Sequence, residues 1–372
     1  SIKSVKKKII FYHPYFGDGG AEKTNLSISA KLSKKYEIYF LSHFFSKKFD
    51  SEIKKNNIKK VQTSSTRTIF SIFEIIKIYR KIKPDLIFSI QVHANVFTII
   101  INKLFFNGKL KVICCERISK QKYESYFKGK IIIFLAKIFY KYSKLIICNS
   151  KELYKEFKNL SKNLKVIYIY NPTLKLNLKT LSKKFLVKSK PFLNKKRSII
   201  FSLGRLDDVK NHIMILKAYN EIKNKIKCDI VLMGDGENKN LLINYAKKNN
   251  FDKNLFIYNF QKNPFPYLVK SDIFILSSKY EGLPNVLIEA LALKKFVISS
   301  NCPTGPKEIL LNGKAGLLVN VDDYMDLSKK IRTYFNKPLL VKQKKSFIKK
   351  SLQQFSSSNS LNKYQEVVDS LL

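Results

Sequence analysis

The sequence has few of the features that mark secreted, membrane-spanning or metal-binding proteins. Its five cysteines show no paired spacing, and Cys114 and Cys115 are neighbours, which suits neither a C-x-x-C metal site nor a disulfide framework. The basic cluster at residues 6–8 precedes only a short apolar run, so no signal peptide is expected. No window approaches the roughly 18 apolar residues that span a bilayer. We therefore expect buried, reduced thiols and a cytoplasmic protein that is either soluble or peripheral on the membrane's inner face.

Acidic residues are scarce. There are 27 Asp and Glu against 71 Lys and Arg, a net charge of +44, and residues 1–190 alone hold 41 Lys and Arg against 11 Asp and Glu. Such a field favours anionic partners, namely nucleic acid, anionic lipid or phosphorylated substrates. Because lysine is abundant everywhere, an AT-rich genome explains the charge equally well. The lysines form no stripe and no nucleic-acid motif is present, so no nucleic-acid partner is expected.

Short continuous apolar runs alternate with helical patterns, and the alternation occurs twice along the 372 residues. Continuous runs are typical of parallel strands that are covered on both faces. The sequence therefore predicts an α/β protein with two doubly wound, Rossmann-like domains. The predicted strands are residues 8–12, 36–41, 85–90, 110–114, 145–148, 166–169, 198–203, 229–233, 255–258, 273–276, 296–298 and 316–319.

The break between the two series lies in a lysine-rich stretch, residues 171–197, which has little periodicity. We predict an N-terminal domain at 1–180, a linker at 181–197, a C-terminal domain at 198–355, and a helix in 356–372 that crosses back to the first domain. Ligands of open α/β sheets bind at the carboxyl ends of the strands. Two such domains are expected to face a cleft, with the functional residues directly after strands.

The segment after the predicted strand 273–276 has the most informative residues. Glu281 stands just before a predicted helix start and Glu289 lies inside the helix. Pro284 fits the first turn of that helix, where its missing N–H costs nothing. The backbone N–H groups of Gly282, Leu283 and Asn285 at this helix start would face an anion. Glu289 adjoins an apolar run, and a buried carboxylate needs a partner such as a sugar or ribose hydroxyl pair. A helix-capping Glu281 and a solvated Glu289 are the structural alternatives.

Other polar residues also follow predicted strands. Arg205 and Lys210 come after strand 198–203, where a planar guanidinium and a mobile ammonium can bind phosphate oxygens. Glycines that let a backbone approach a ligand closely follow strands 8–12 and 229–233; they are Gly19, Gly20 and Gly234. Phe260 lies in the loop after strand 255–258, which is expected to face a base. No Asp-x-Asp motif follows a strand, so no metal is expected.

Several of these segments resemble a known family. The E-x7-E spacing of Glu281 and Glu289, within E-G-L-P-N-V-L-I-E-A, resembles the signature of retaining glycosyltransferases of family 4, also called glycosyl transferases group 1, which have the GT-B fold. G-R-x4-K-N at 204–211, G-D-G-E at 234–237 and G-G-A-E at 19–22 are similar to further elements of that family. The loop at 302–309 resembles one found in branches that build bacterial surface glycans. The resemblance covers residues 8–330.

The resemblance implies retaining transfer of a sugar from a nucleotide-sugar donor, with UDP as the expected nucleotide, to a hydroxyl of a lipid-linked or oligosaccharide acceptor. It implies no cofactor and no metal. Arg205 and Lys210 would stabilise the departing diphosphate, Glu281 would hold the donor sugar's hydroxyls, and Glu289 would hold the ribose. A nucleotide-sugar epimerase of the same fold is the enzyme alternative, and a basic nucleic-acid-binding protein is the non-enzyme alternative.

The N-terminal half departs from the family pattern. Where many relatives carry a histidine after an acceptor-domain strand, this sequence has Arg117. His93 is a candidate catalytic substitute, and a histidine packed at a helix start is the alternative.

In the C-terminal half Gln261 and Lys294 replace glycines of the family, which affects the base contact and the packing respectively.

Residues 126–144 combine apolar residues with five lysines and have basic amphipathic character. Two interpretations are open. The segment is either a helix that docks on an anionic membrane surface or an ordinary helix that faces the core.

Overall fold

The computed structural model describes residues 6–372 except 18, 66–67, 162, 175–177, 186, 188 and 194–195. The chain divides into two compact units, one of residues 1–172 with 357–372 and the other of residues 173–356. The division therefore lies at Pro172, and the described part of the expected linker, residues 181–197, groups with the second unit.

The first unit contains a seven-stranded parallel sheet with the strand order β5-β3-β1-β6-β7-β8-β9, and β2 pairs with β4 beside it. The strands are β1 (Lys8–Tyr12), β2 (Tyr15–Phe16), β3 (Glu37–Ser42), β4 (Phe44–Phe45), β5 (Lys59–Gln62), β6 (Leu86–Ile90), β7 (Val112–Glu116), β8 (Leu145–Cys148) and β9 (Val166–Tyr168). The helices are α1 (Gly20–Leu32), α2 (Asp50–Lys55), α3 (Ile72–Ile82), α4 (Val92–Phe105), α5 (Gln121–Glu124), α6 (Phe127–Phe139) and α7 (Lys151–Lys158).

Both faces of this sheet are covered, which is why its strands are continuous apolar runs. Successive side chains of a strand point to opposite faces. In β1, Ile10 and Tyr12 pack with α3, α4, α6 and α7, whereas Ile9 and Phe11 pack with α1 and α2. Strand β5 was not predicted, because it is a polar edge strand whose two lysines are exposed. Strand β7 begins and ends two residues later than predicted, so Glu116 belongs to the strand.

The second unit contains a six-stranded parallel sheet with the order β12-β11-β10-β13-β14-β15. Its strands are β10 (Ser198–Leu203), β11 (Cys228–Met233), β12 (Leu255–Tyr258), β13 (Ile273–Leu276), β14 (Phe296–Ser300) and β15 (Leu317–Val319). Its helices are α8 (Leu178–Ser182), α9 (His212–Asn220), α10 (Lys239–Lys248), α11 (Phe265–Lys270), α12 (Asn285–Ala292), α13 (Pro306–Ile309), α14 (Tyr324–Asn336), α15 (Pro338–Ser346) and α16 (Ile348–Leu352). Short 3-10 turns are found at Lys47–Phe49, Thr68–Ser71, Tyr140–Tyr142 and Asp252–Asn254.

The last helix, α17 (Ser357–Leu371), belongs to the first unit. Tyr364 and Val368 are buried in the core cluster that covers one face of the first sheet. Asp369 accepts a hydrogen bond from the Tyr36 hydroxyl and forms an ion pair with Lys35 at 3.1 Å. The chain thus returns to its first unit after completing the second.

Candidate functional site

The candidate residues of the second unit lie in loops at the carboxyl ends of neighbouring parallel strands. In the order β12-β11-β10-β13-β14-β15, the chain runs outward from β10 in one direction and then returns to build the other half from β13. The loops after β10 and β13 leave the sheet at this topological switch point, which is where open α/β sheets bind ligands. Lys210 follows β10 and Glu281 follows β13.

Lys210 and Glu281 meet directly at this switch point. The Lys210 ammonium lies 2.5 Å from Oε1 of Glu281, and the two side chains are only 20% and 11% exposed. The Ser278 hydroxyl donates to the same carboxylate oxygen at 2.6 Å. A charge that is largely removed from water needs such a partner, and this one links the two loops.

The backbone around Lys210 is held from two sides. The Lys210 N–H donates to the carboxylate of Asp207 at 2.9 Å, which closes a tight turn within the loop after β10. From the loop after β13, the Ser277 hydroxyl donates to the Lys210 carbonyl at 2.8 Å, and the Lys279 N–H donates to the Val209 carbonyl at 2.8 Å. The Lys210 backbone is therefore held by hydrogen bonds in which its ammonium group takes no part.

The loop that carries Glu281 rests on the loop after β14. The Thr304 hydroxyl donates to the Glu281 carbonyl at 2.5 Å, and the Ser300 hydroxyl donates to the Ser278 carbonyl at 2.5 Å. Gly305 has a φ of +96°, and a Cβ there would lie 2.6 Å from the Gly282 carbonyl oxygen. From the sequence, the segment 302–309 was identified only by its resemblance to a family loop. The structure shows that it supports the Glu281 loop through a hydrogen bond and close backbone packing.

Arg205 is the exposed cation of the site. Its side chain is 63% exposed, and a guanidinium nitrogen lies 3.3 Å from Asp207. The loop is supported by Gly234, whose φ is +152° and where a Cβ would lie 1.9 Å from the Gly204 carbonyl oxygen. Gly234 is therefore required for the backbone packing beneath Arg205. An exposed guanidinium in the same loop as the fixed ammonium of Lys210 suits a phosphate ligand.

Helix α12 begins one residue later than predicted. Pro284 occupies the N-cap rather than the first turn, and Asn285 is the first helical residue, with its side-chain oxygen accepting from the Thr173 hydroxyl at 2.9 Å. Glu289 is half-buried, which lies between the two alternatives open for it, while Glu281 is 8% exposed. Of the two glutamates, Glu281 is therefore the buried one.

Phe260 is half-buried in the loop after β12. Its N–H donates to the carboxylate of Asp235 at 3.3 Å, which joins this loop to the one after β11. His212, at the start of α9, was not predicted as a site residue. Burial and the nearby Lys210 charge lower the pKa of His212 to about 4, so the imidazole is neutral.

The remaining candidates belong to the first unit. Gly19 and Gly20 precede and begin α1, and the Gly17 N–H donates to the buried Glu22 carboxylate at 3.1 Å. Glu22 of the G-G-A-E element thus shapes this glycine loop. Arg117 follows β7, and its guanidinium donates to the Asn171 side-chain oxygen at 2.9 Å.

His93 lies in the first turn of α4 and is half-buried. Burial is the main cause that lowers its pKa to about 4, and the nearby His13, His43 and Lys122 lower it further. His93 is therefore neutral at physiological pH. Before it, Gln91 has a φ of +85°, an uncommon conformation for a residue other than glycine.

Within the ranges that the structure describes, no group of three or more His, Cys, Asp or Glu residues is arranged to hold a metal ion. The described helices also include none with both the length and the apolar character needed to cross a bilayer.

Comparison with known proteins adds independent findings. The sequence profile of glycosyl transferases group 1 matches residues 183–354. The chain is 34% identical over 301 residues to the uncharacterized glycosyltransferase MJ1059 of Methanocaldococcus jannaschii, covering 76% of this chain and 73% of that protein.

It is also 32% identical over 160 residues, or 43% of each chain, to a Campylobacter jejuni protein named N-acetylgalactosamine-N,N'-diacetylbacillosaminyl-diphospho-undecaprenol 4-alpha-N-acetylgalactosaminyltransferase. Among solved structures, Anabaena Alr3699/HepE in complex with UDP and glucose is similar with a TM-score of 0.78 and 16% identity. That likeness covers 98% of this chain and 100% of that one.

Proposed function

The chain belongs to the glycosyl transferases group 1 family and is a glycosyltransferase with the GT-B fold, and from this premise we propose its reaction. It transfers a sugar, with retention of anomeric configuration, from a UDP-sugar to a hydroxyl of a lipid-linked glycan acceptor in bacterial surface-glycan assembly. The UDP complex of the similar Anabaena structure supports the donor nucleotide. The undecaprenol-linked substrate in the name of the Campylobacter relative supports the acceptor class.

The observation that carries this proposal is the Lys210–Glu281 pair at the switch point of the second sheet. In the reaction, the bond between the anomeric carbon and the diphosphate oxygen breaks, and the acceptor oxygen bonds to the same carbon. The acceptor proton passes to the departing phosphate. Negative charge develops on the diphosphate, where the Lys210 ammonium and the exposed Arg205 guanidinium stabilise it without a metal.

Glu281 is suited to hold the donor sugar. Its Oε1 already accepts from Lys210 and Ser278, while a carboxylate offers about four acceptor positions, so the sugar hydroxyls can donate to the remaining ones. Glu289, half-buried on α12, is assigned to the ribose hydroxyls. Gly19 and Gly20 would bring backbone N–H groups to the diphosphate, and His93, being neutral, would form hydrogen bonds with sugar or acceptor hydroxyls.

A thermal-shift measurement tests the donor assignment, because a ligand that binds only the folded state raises its stability. UDP should raise the melting temperature more than GDP or ADP, and a chelator should leave both the shift and the turnover unchanged. Loss of turnover on chelation with recovery on adding magnesium or manganese would contradict the metal-free mechanism.

Product analysis by NMR tests the reaction. Transfer with net retention to a polyprenyl-diphosphate glycan is expected. An isomerised nucleotide sugar formed without any acceptor would instead identify an epimerase.

A further inference from the structure

Helix α6 carries a row of exposed apolar side chains on the outside of the first unit. Phe127, Ile131, Phe134 and Ile138 are 77%, 44%, 61% and 40% exposed. Their spacing of three or four residues puts them on one face of the helix, and we name this row the α6 stripe. An α-helix of 13 residues is about 20 Å long, and the stripe follows nearly all of it.

The opposite face of α6 packs against the rest of the unit. Ile133 and Ala136 are buried in the core cluster beneath the sheet, and Gly129 is packed so closely that a Cβ there would lie 1.9 Å from the Tyr123 carbonyl oxygen. The helix thus has one apolar face turned to the core and a second one turned to solvent. The core-facing interpretation of residues 126–144 therefore accounts for one face of the helix and leaves the exposed face unexplained.

The neighbouring end of α4 extends the exposed apolar surface. Leu104 and Phe105 are 67% and 41% exposed. Helices α4 and α6 contact each other at this end, because the Lys103 ammonium of α4 lies 3.8 Å from the centre of the Tyr142 ring just beyond α6. Tyr126 and Tyr142, at the two ends of α6, are 48% and 44% exposed. Tyrosines at both ends are typical of helices at a membrane–water interface.

The charged residues along this surface are basic. Four lysines flank the α6 stripe and are exposed; these α6 lysines are Lys128, Lys130, Lys137 and Lys141. Residues 125–144 and 101–111 contain no Asp or Glu. The partner must therefore be both apolar and anionic.

We propose that the α6 stripe, with the end of α4 and the α6 lysines, docks this glycosyltransferase on the surface of a bilayer that contains anionic lipids. The apolar side chains enter the interface while the lysines remain among the headgroups. A second copy of the chain fits less well, because symmetric pairing through this face would oppose lysines to lysines. Nucleic acid would satisfy the lysines but not the aliphatic side chains of the stripe.

Vesicle flotation of the full chain tests the proposal. The vesicles contain phosphatidylcholine alone or with about one third phosphatidylglycerol. The parent should float with the anionic vesicles, with a partition constant more than tenfold above that for neutral ones, because each lysine near an anionic surface contributes about fivefold.

Two variants separate charge from apolar insertion. Changing the four α6 lysines to Gln should lower the partition constant more than tenfold, and so should Phe127→Ser with Phe134→Ser. The matched charge control changes four exposed lysines of the second unit to Gln, namely Lys342, Lys345, Lys349 and Lys350. The matched apolar control is Leu339→Ser, at a side chain that is 82% exposed. Both controls should stay within about twofold of the parent.

Several outcomes would overturn the proposal. They are recovery of the parent at the bottom of the gradient with both vesicle types, equal losses in the α6 and control lysine variants, and parent-like flotation of the Phe127→Ser, Phe134→Ser protein. A parent that is dimeric in light scattering, and monomeric in that phenylalanine variant, would assign the face to a second copy instead. Flotation requires no donor or turnover, so its result is independent of the proposed reaction.

Discussion

The carboxyl ends of the two parallel sheets carry different kinds of polar group. In the second unit the groups are charged and paired: Lys210 pairs with Glu281, and Arg205 pairs with Asp207. The cation of each pair is partly exposed, with 20% of the Lys210 side chain and 63% of the Arg205 side chain open to solvent. In the first unit the histidines that follow β1 and β3 are buried and neutral. His13 and His43 are each 3% exposed, and burial lowers the pKa of both.

Glu116, the last residue of β7, is a further buried group of the first unit. It is fully buried, and the Tyr140 hydroxyl and the Asn95 amide donate to its Oε1. Burial raises the pKa of Glu116 to about 8, so its carboxyl group is largely protonated at pH 7. The second sheet thus has charged pairs at its carboxyl end, whereas the first has buried neutral groups there, together with Arg117 in the loop after β7.

The largest expected effect is that of Lys210→Met, which removes the cation of the switch point. Turnover should fall about 10²–10³-fold, the usual loss when a preorganised group that stabilises transition-state charge is removed. Lys279→Met is the control, since its ammonium is 3.9 Å from Asp322 and outside the proposed chemistry, and it should change turnover little. Steady-state kinetics with a lipid-linked acceptor measures both. A Lys210→Met enzyme within threefold of the parent would contradict the role of the pair.

The next effect separates the two glutamates. Glu281→Gln should lower turnover about 100-fold and leave UDP affinity nearly unchanged, because its partner is the sugar. Glu289→Gln should weaken UDP binding about tenfold, the scale of one hydrogen bond to a charged group. Calorimetric titration with UDP measures the second effect. Equal UDP affinity in Glu289→Gln and the parent would refute the ribose assignment.

The last prediction concerns the stability of the first unit rather than turnover. A carboxyl group whose pKa is raised on folding keeps a proton that the unfolded chain releases, so it stabilises the fold most at low pH. The parent should therefore lose stability as pH rises from about 4.5 towards 8, by up to about 1.4 kcal/mol per pH unit from this group.

Glu116→Gln keeps an acceptor for Tyr140 and Asn95 and cannot ionise, so its melting temperature should depend less on pH. Melting curves of both proteins across this range measure the difference. Parallel pH profiles would show that Glu116 is ionised in the folded protein.

The secondary structure was largely predictable. Strands covered on both faces are apolar without interruption, so all twelve predicted strands were found within two residues of their observed bounds. The misses have physical reasons. Strand β5 is a polar edge strand, and β2 and β4 contain two residues each, which is too short for any periodicity. The candidate residues of the second unit were chosen because most of them follow strands, and the structure places two of them, Lys210 and Glu281, in contact.

The sequence by itself determined the two parallel sheets and the residue types available at their carboxyl ends, because burial on both faces and strand–helix alternation leave a local pattern. Only the tertiary structure decided which of those residues meet. Lys210 and Glu281 are 71 positions apart and become neighbours through the strand order, which no local pattern encodes. It also decided that Glu281 rather than Glu289 is buried, and that the α6 stripe faces solvent. Burial and pairing depend on what packs against a residue, and the packing partners come from distant parts of the chain.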